Sequence, residues 1–428
     1  MINIIPNFAD SMKTSFRHVR GNARACLLTQ PLWSVAANLF TPYMTLYMLA
    51  VGCTNDQVGL VNAIGMAMGV FNAIFAGWIT DRLGRRIANA LGDLFCWVLA
   101  CLIWGLSQNF IWFIAAACAN SFSRVSGVAW NCSLSEDISP EHRVNIFWWL
   151  NIVATLAAFV TPLMNLLIRP YGLVPAMRGV LLGSSALLVV ATYIRYRMMR
   201  ELPVGRARME AARRESPFAA LKAYVPLLRL MFTNPLLLIY ILLRTLYYVQ
   251  AGFKGTFQPI TVVQGLGFTS GIIGTLNLIT GAMMLLTQFL LLPRLRTLSS
   301  DKALAVSFAM LTASILMLVF SPAHSMLLLI LSTVLSASGS VVTGMLVDTS
   351  LANAVPDMER AQLLSLVTLL TVTLSAPLMW LGGILSGMPD LGPRLPMAVI
   401  AALFVVCLAL LWIAERIKKG KNWRREND

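Results

Sequence analysis

Long apolar runs alternate with short polar turns along the whole chain. Twelve runs lie near 27–50, 57–80, 87–107, 110–134, 144–168, 177–198, 234–259, 269–292, 302–321, 325–349, 362–386 and 395–415. Each holds roughly 20 residues, which as a helix covers about 30 Å, the thickness of a bilayer's hydrocarbon core. The runs are continuous rather than alternating, so they predict membrane helices and not barrel strands. Pro31, Pro42, Pro162 and Pro377 fall inside runs and mark expected kinks.

Composition narrows the class. The 428 residues are 58% hydrophobic and 12% charged, about half the charged share of a soluble domain. Mean hydropathy is +0.74. The net charge of +15 would suit a nucleic-acid binder, but the basic residues sit between apolar runs, as a positive-inside topology requires. No nucleic-acid partner is expected. With the first residue inside, Arg169, Arg178 and Arg394 fall in outer loops, and Arg124, Arg244 and Lys254 within runs. All other Lys and Arg residues then fall in inner loops and tails. This predicts a multi-pass protein of the cell (inner) membrane with both termini cytoplasmic. The polar, basic stretch from Met1 to Arg24 predicts no cleavable signal. Phe8, Met12 and Phe16 in it fit either a short helix on the inner membrane surface or a frayed tail.

Cys26, Cys53, Cys96, Cys101, Cys118, Cys132 and Cys407 lie in or at the edges of runs, without a CxxC pair. They are expected to pack as small apolar residues. The three histidines are scattered, so no metal site is expected. No nucleotide loop, metal cluster or convincing triad is present, which speaks against an enzyme, ATP-driven transport and a cofactor.

The runs fall into two related sets. Gly59-Leu-Val-Asn62 recurs as Gly274-Thr-Leu-Asn277, and Thr161-Pro-Leu-Met164 as Ala376-Pro-Leu-Met379, both 215 positions on. Pro140 recurs as Pro356, displaced by 216. The organisation expected is a cytoplasmic segment over 1–25, a six-helix half over 26–198, a cytoplasmic basic linker over 199–230, a second six-helix half over 231–415 and a basic tail over 416–428.

Between the second and third runs stands Gly77-Trp78-Ile79-Thr80-Asp81-Arg82-Leu83-Gly84-Arg85-Arg86. This G-x-x-x-D-R-x-G-R-R turn resembles the signature loop between helices 2 and 3 of the major facilitator superfamily, and stands at the same ordinal position. The resemblance implies an all-α membrane protein with twelve transmembrane helices in the major facilitator fold, as two pseudo-symmetric six-helix halves. It also implies an inner gate built on Gly77, Asp81, Arg82, Gly84, Arg85 and Arg86. In that gate Gly77 would let the second helix approach the eleventh closely. Asp81 would face a helix N-terminus or a basic partner, and Arg85 and Arg86 would pair with acids, Glu136 and Asp137 being candidates. A plain topogenic anchor is the other reading. The loop's second copy, over 292–300, keeps basic residues but has lost the aspartate and glycines. Ala157 to Pro162 lacks the glycine-rich pattern of proton antiporters in this family, which counts against a multidrug antiporter.

Within the fourth run Asn120, Arg124, Gly127 and Asn131 share one helix face. Arg124 lies roughly 16 Å from the run's inner end, where a charge needs a partner or a wet cavity. The segment loosely resembles the helix-4 arginine motif of proton-coupled relatives, with the glycine one residue too close. An arginine bonded to helix carbonyls is the alternative. Arg244 is also at mid-depth, and Tyr248 shares its face. In this superfamily helices 4 and 7 line the central cavity, so the resemblance places Arg124 and Arg244 near one site. The first run offers no acid to neutralise them, only Gln30, Asn38, Tyr43 and Tyr47. The substrate-binding set is therefore Arg124, Arg244, Asn120, Tyr248 and Asn131. Asp348, Asp93 and Glu136 are the proton-coupling candidates. Asp348 ends a polar face with Ser336, Ser340 and Gly344, whereas Asp93 is expected to pair with a nearby arginine. The function expected is secondary active transport of a small organic solute, an organic anion, by alternating access with H+ as coupling ion, in a monomer embedded in the lipid bilayer. Export of neutral or amphipathic compounds, or a non-transporting sensor on the same fold, are the alternatives.

Overall fold

A computed structural model describes residues 21–136, 140–213, 229, 231–291, 300–354 and 360–427, and among these no strand occurs. The surface-helix expectation for 1–20, Asp137, most of the basic linker and the second copy of the signature loop lie outside the described residues. Ten helices are long and apolar enough to cross a membrane. Their outward faces are apolar too: Leu290, Leu327 and Val405 are 58, 69 and 56% exposed. Such a surface suits lipid rather than water.

The first and fourth runs are not among the ten, and each is interrupted. α1 (Gly21–Phe40) passes through a 3-10 turn at Thr41–Tyr43 into α2 (Met44–Ala50). α6 (Phe110–Asn120) stops at Ser121–Phe122, and α7 (Ser123–Glu136) starts directly after. There the Arg124 and Val125 N–H groups donate back three residues, to Ser121 and Phe122 O. The fourth run is thus two helices rather than the one its hydropathy predicts.

The other elements follow the runs. α3 (Asn55–Leu83) leads through the signature turn to α4 (Arg85–Asp93), a π-helical turn (Leu94–Leu99) and α5 (Ala100–Leu106). α8 (Pro140–Ala157) and α9 (Leu163–Tyr171) are separated by a 3-10 turn and Pro162. α10 (Leu173–Met198) and the short α11 (Pro203–Ala212) complete the first set. Then come α12 (Pro235–Ile260), α13 (Ile272–Leu286), α14 (Ser300–Val319), α15 (Met326–Ala354), α16 (Arg360–Ser386) and α17 (Leu395–Asn427). Local chemistry sets the starts. Asn109 Oδ1 accepts from the Ile111 N–H at 3.1 Å at the head of α6. Asn234 caps the Leu237 N–H at 3.4 Å, with Pro235 in the first helical position of α12. Of the four prolines expected to mark kinks, Pro42 and Pro162 stand at breaks. Pro31 and Pro377 sit inside continuous helices.

The chain divides into two compact units, residues 1–41 with 68–219, and residues 42–67 with 220–428. In the first, Cys26 and Leu27 of α1 pack with Leu134 of α7 and with Ile146 and Leu150 of α8. Trp33 and Ala36 pack with Leu188 and Ala191 of α10. In the second, Phe308 of α14 and Phe404 of α17 are fully buried, their rings 5.9 Å apart. Residues 42–67 group with the second unit because they are buried in it. Tyr43 and Tyr47 are fully enclosed, and the Asn55 amide donates to Ser386 O at 2.9 Å and Gln264 Oε1 at 3.0 Å. All seven cysteines are free, and five are buried.

Candidate functional site

The signature turn lies in the first unit, and its side chains are tied into it. Gly84 adopts φ +82°, which glycine tolerates, and a Cβ there would meet the Glu201 carboxylate at 2.8 Å. That carboxylate accepts the backbone N–H groups of Arg85 and Arg86, both at 3.1 Å. It thereby occupies the positive N-terminus of α4. The Arg85 guanidinium lies 2.8 Å from Asp81 and 3.1 Å from Glu136. Arg86 stacks on Tyr196, 4.0 Å from the ring centre, and donates to Tyr196 O at 2.9 Å. Arg82 lies over the Trp78 ring at 5.0 Å. Asp81 thus faces a basic partner, and the helix end goes to Glu201. A Cβ at Gly77 would meet nothing within 4 Å among the described residues.

Asp93 stands at the π-helical turn and is 2% exposed. Its carboxylate receives the Arg195 guanidinium at 3.1 Å and the Ser126 hydroxyl. Arg195 also donates to Thr29 Oγ1 at 2.9 Å and stacks on Trp33 at 3.7 Å. Residues from α1, α4, α7 and α10 therefore close around one ion pair. The Asn120 amide donates to Cys96 O in the π-helical turn at 2.8 Å, and Asn131 to Gly127 O of its own helix at 2.9 Å. Arg124 is different. It lies beside the break between α6 and α7 and is exposed, and its side chain has no hydrogen bond or ion pair among the described residues. A Cβ at Gly69 would lie 3.5 Å from Arg124 Nε, an ordinary van der Waals contact, so Arg124 passes beside α3.

In the second unit Arg244 is not a lone cation. Its Nε donates to Asp348 Oδ1 at 2.8 Å, the Arg244 side chain being 13% and the Asp348 side chain 46% exposed. Tyr248 donates to Asp348 Oδ2 at 2.8 Å, and the Arg244 guanidinium lies 4.8 Å from the Tyr248 ring centre. This corrects the expectation of two un-neutralised arginines: α12 and α15 run side by side and bring acid and base together. On the same unit Gly59 of α3 meets Gly383 of α16. A Cβ on Gly59 would lie 2.7 Å from Gly383 Cα and 2.6 Å from Met379 O. The close glycine approach therefore falls at Gly59, eighteen positions before Gly77.

Sequence reasoning missed Glu201 and Arg195. Glu201 is an acid two positions before a helix-starting proline, Pro203, which signals a chain turn but not its target. Arg195 reads as one of many inner-loop cations, and nothing local marks it as buried.

A family model for the Major Facilitator Superfamily matches residues 26–300. No curated protein matches the chain by sequence. Among solved structures, nucleoside transporter NupG (D323A mutant) has a TM-score of 0.72 at 13% identity, covering 92% of this chain and 100% of its own. A D-xylose-proton symporter has a TM-score of 0.71 at 13% identity, covering 91% and 96%. The human organic anion transporter MFSD10 has a TM-score of 0.59 at 17% identity, covering 92% and 100%.

Proposed function

The chain belongs to the major facilitator superfamily, and from that premise we propose that it is a secondary active carrier of a small organic anion, working by alternating access with protons as coupling ions. The family membership itself makes it a multi-pass membrane transporter rather than an enzyme. At this level of identity its structural neighbours share the fold, and the solutes they are named for range from nucleosides to a sugar and organic anions. The proposed layout is twelve spans in two six-helix halves with both termini cytoplasmic.

One observation carries the substrate class: Arg124, beside an interrupted membrane helix, faces no acid among the described residues. A charge at such depth costs about 3 kcal/mol or more unless wet or paired. An anionic solute would supply the pair through bidentate contact. Asn120, Asn131, Arg244 and Tyr248 are the further contacts proposed. Asp348, half exposed and holding Arg244, supports the coupling role, because a proton on it would release the guanidinium. Asp93 and Glu136 are already engaged by Arg195 and Arg85 and are the weaker coupling candidates. Asp81, Arg85 and Glu136 would act together at the inner gate. A carrier of neutral or amphipathic compounds is the second reading, favoured by the neutralisation of Arg244 by Asp348.

The test is uptake into proteoliposomes of small carboxylates and organic phosphates against their amide and alcohol counterparts, with and without an acid-outside gradient. An acid should be taken up best and be driven by the gradient. Arg124→Gln should cut that uptake at least about tenfold, the worth of one charge-assisted hydrogen bond, and Arg124→Lys should retain part of it. Preference for a neutral compound, unchanged in Arg124→Gln, overturns the substrate class.

A further inference from the structure

Lys254 is the remaining intramembrane cation, and it stands on α12 of the second unit. Its Nζ donates to the Ser336 hydroxyl of α15, and no carboxylate among the described residues pairs with it. The seam between the two helices explains why. Arg244 meets Asp348, Tyr247 donates to Ser340 O at 2.8 Å, and Lys254 meets Ser336. Numbers rise on one helix as they fall on the other, so the pair is antiparallel. Asp348 is then twelve positions from Ser336, roughly 18 Å along α15, and is out of reach.

A lysine this far along a membrane helix ordinarily extends to the interface. This one leans back toward the start of α12, as helical side chains do. It ends at Ser336, which is 2% exposed and ten positions inside the start of α15. Gln250, one turn earlier on the same face, is also 2% exposed and makes no hydrogen bond among the described residues. An ammonium with spare donors, a side-chain amide and a hydroxyl thus occupy one stretch of the seam, with no acid beside them. Where this protein does hold an arginine in the same seam, it supplies Asp348 as counter-charge.

We propose that Lys254, Ser336 and Gln250 form a binding site for one small anionic group, either a free halide or the carboxylate of a solute. The site stands apart from the nature of the carried solute, since a carrier of neutral compounds could equally hold an inorganic anion there. The three side chains can supply an ammonium, an amide NH2 and a hydroxyl as donors to an anion. A companion anion offsets the cost of a charge held away from water.

The experiment follows thermal unfolding of the purified full chain in detergent at pH 7 and constant ionic strength. Chloride, and separately acetate, replaces gluconate stepwise. Either ion should raise the melting temperature saturably. A response to chloride alone assigns the site to an inorganic ion, and a response to acetate assigns it to a carboxylate. Lys254→Met should abolish the saturable rise, and Lys254→Arg should keep it. Ser336→Ala should raise the half-saturating concentration about tenfold, for one lost charge-assisted hydrogen bond. A wild-type melting temperature that follows neither ion overturns the proposal, as does a Lys254→Met response equal to wild type. Should Lys254→Met fail to purify, an unchanged half-saturating concentration in Ser336→Ala overturns it.

Discussion

Asp93 and Arg195 illustrate what one buried charge demands of its neighbours. Both are almost wholly enclosed, and Thr29, Ser126 and the Trp33 ring complete the enclosure. Removing one partner of such a pair leaves the other unpaired, at a cost of about 3–5 kcal/mol. Asp93→Leu should therefore lower the melting temperature of the purified protein sharply. Combining it with Arg195→Met should recover much of the loss; a double variant no more stable than the single one would show that the pair is not the reason. Residue type and depth were legible in the sequence here, and pairing was legible only in part. An arginine partner for Asp93 was expected from charge, though Arg195 stands 102 positions away, and Glu136 for Arg85 was implied by the family resemblance. The Arg244–Asp348 pair was not expected, because the two had been assigned different roles and meet only when α12 and α15 pack. Two groups that were read as separate functions form one ion pair.

Elements were legible where length and hydropathy decide them. A run of twenty apolar residues has little choice but a helix in lipid, and most runs became one. Interruptions were legible only where proline caused them, as at Pro42 and Pro162. The break at Ser121–Phe122 has neither proline nor glycine; it accompanies side-chain bonds, with Asn72 donating to Ser121 Oγ at 2.6 Å and that hydroxyl donating to Cys118 O. Glycines on α3 show the same limit. The signature motif drew attention to Gly77, yet it is Gly59 that lies against another backbone. Gly59→Ala should destabilise the protein by about 1–3 kcal/mol, the usual cost of overpacking against atoms that cannot yield. Gly77→Ala, facing open space, should change stability by no more than about 0.5 kcal/mol. Thermal unfolding of both variants checks this, and equal effects would contradict the geometry.

At the scale of the whole molecule, family and helical class were legible from the signature turn and the charge asymmetry between loops. The grouping of residues 42–67 with the second unit was not, because sequence order says nothing about which bundle encloses Tyr43 and Tyr47. Orientation can be tested directly by single cysteines placed in a cysteine-free background. Ala207→Cys, exposed on α11, should resist an impermeant thiol reagent applied outside the cell, and Leu391→Cys, 64% exposed at the opposite end by residue order, should react. The reverse pattern would invert the topology. Pro162 and Pro377 stand 215 positions apart in matching Pro-Leu-Met stretches, yet only the first interrupts its helix. A rod bends most cheaply where its backbone hydrogen bonds are missing. The helix at Pro162 therefore carries a joint, whereas the helix at Pro377 lacks the one bond its proline cannot donate but runs on unbroken. Force running along the two helices is absorbed as bending more readily in the first, so two stretches that share a motif differ as mechanical parts.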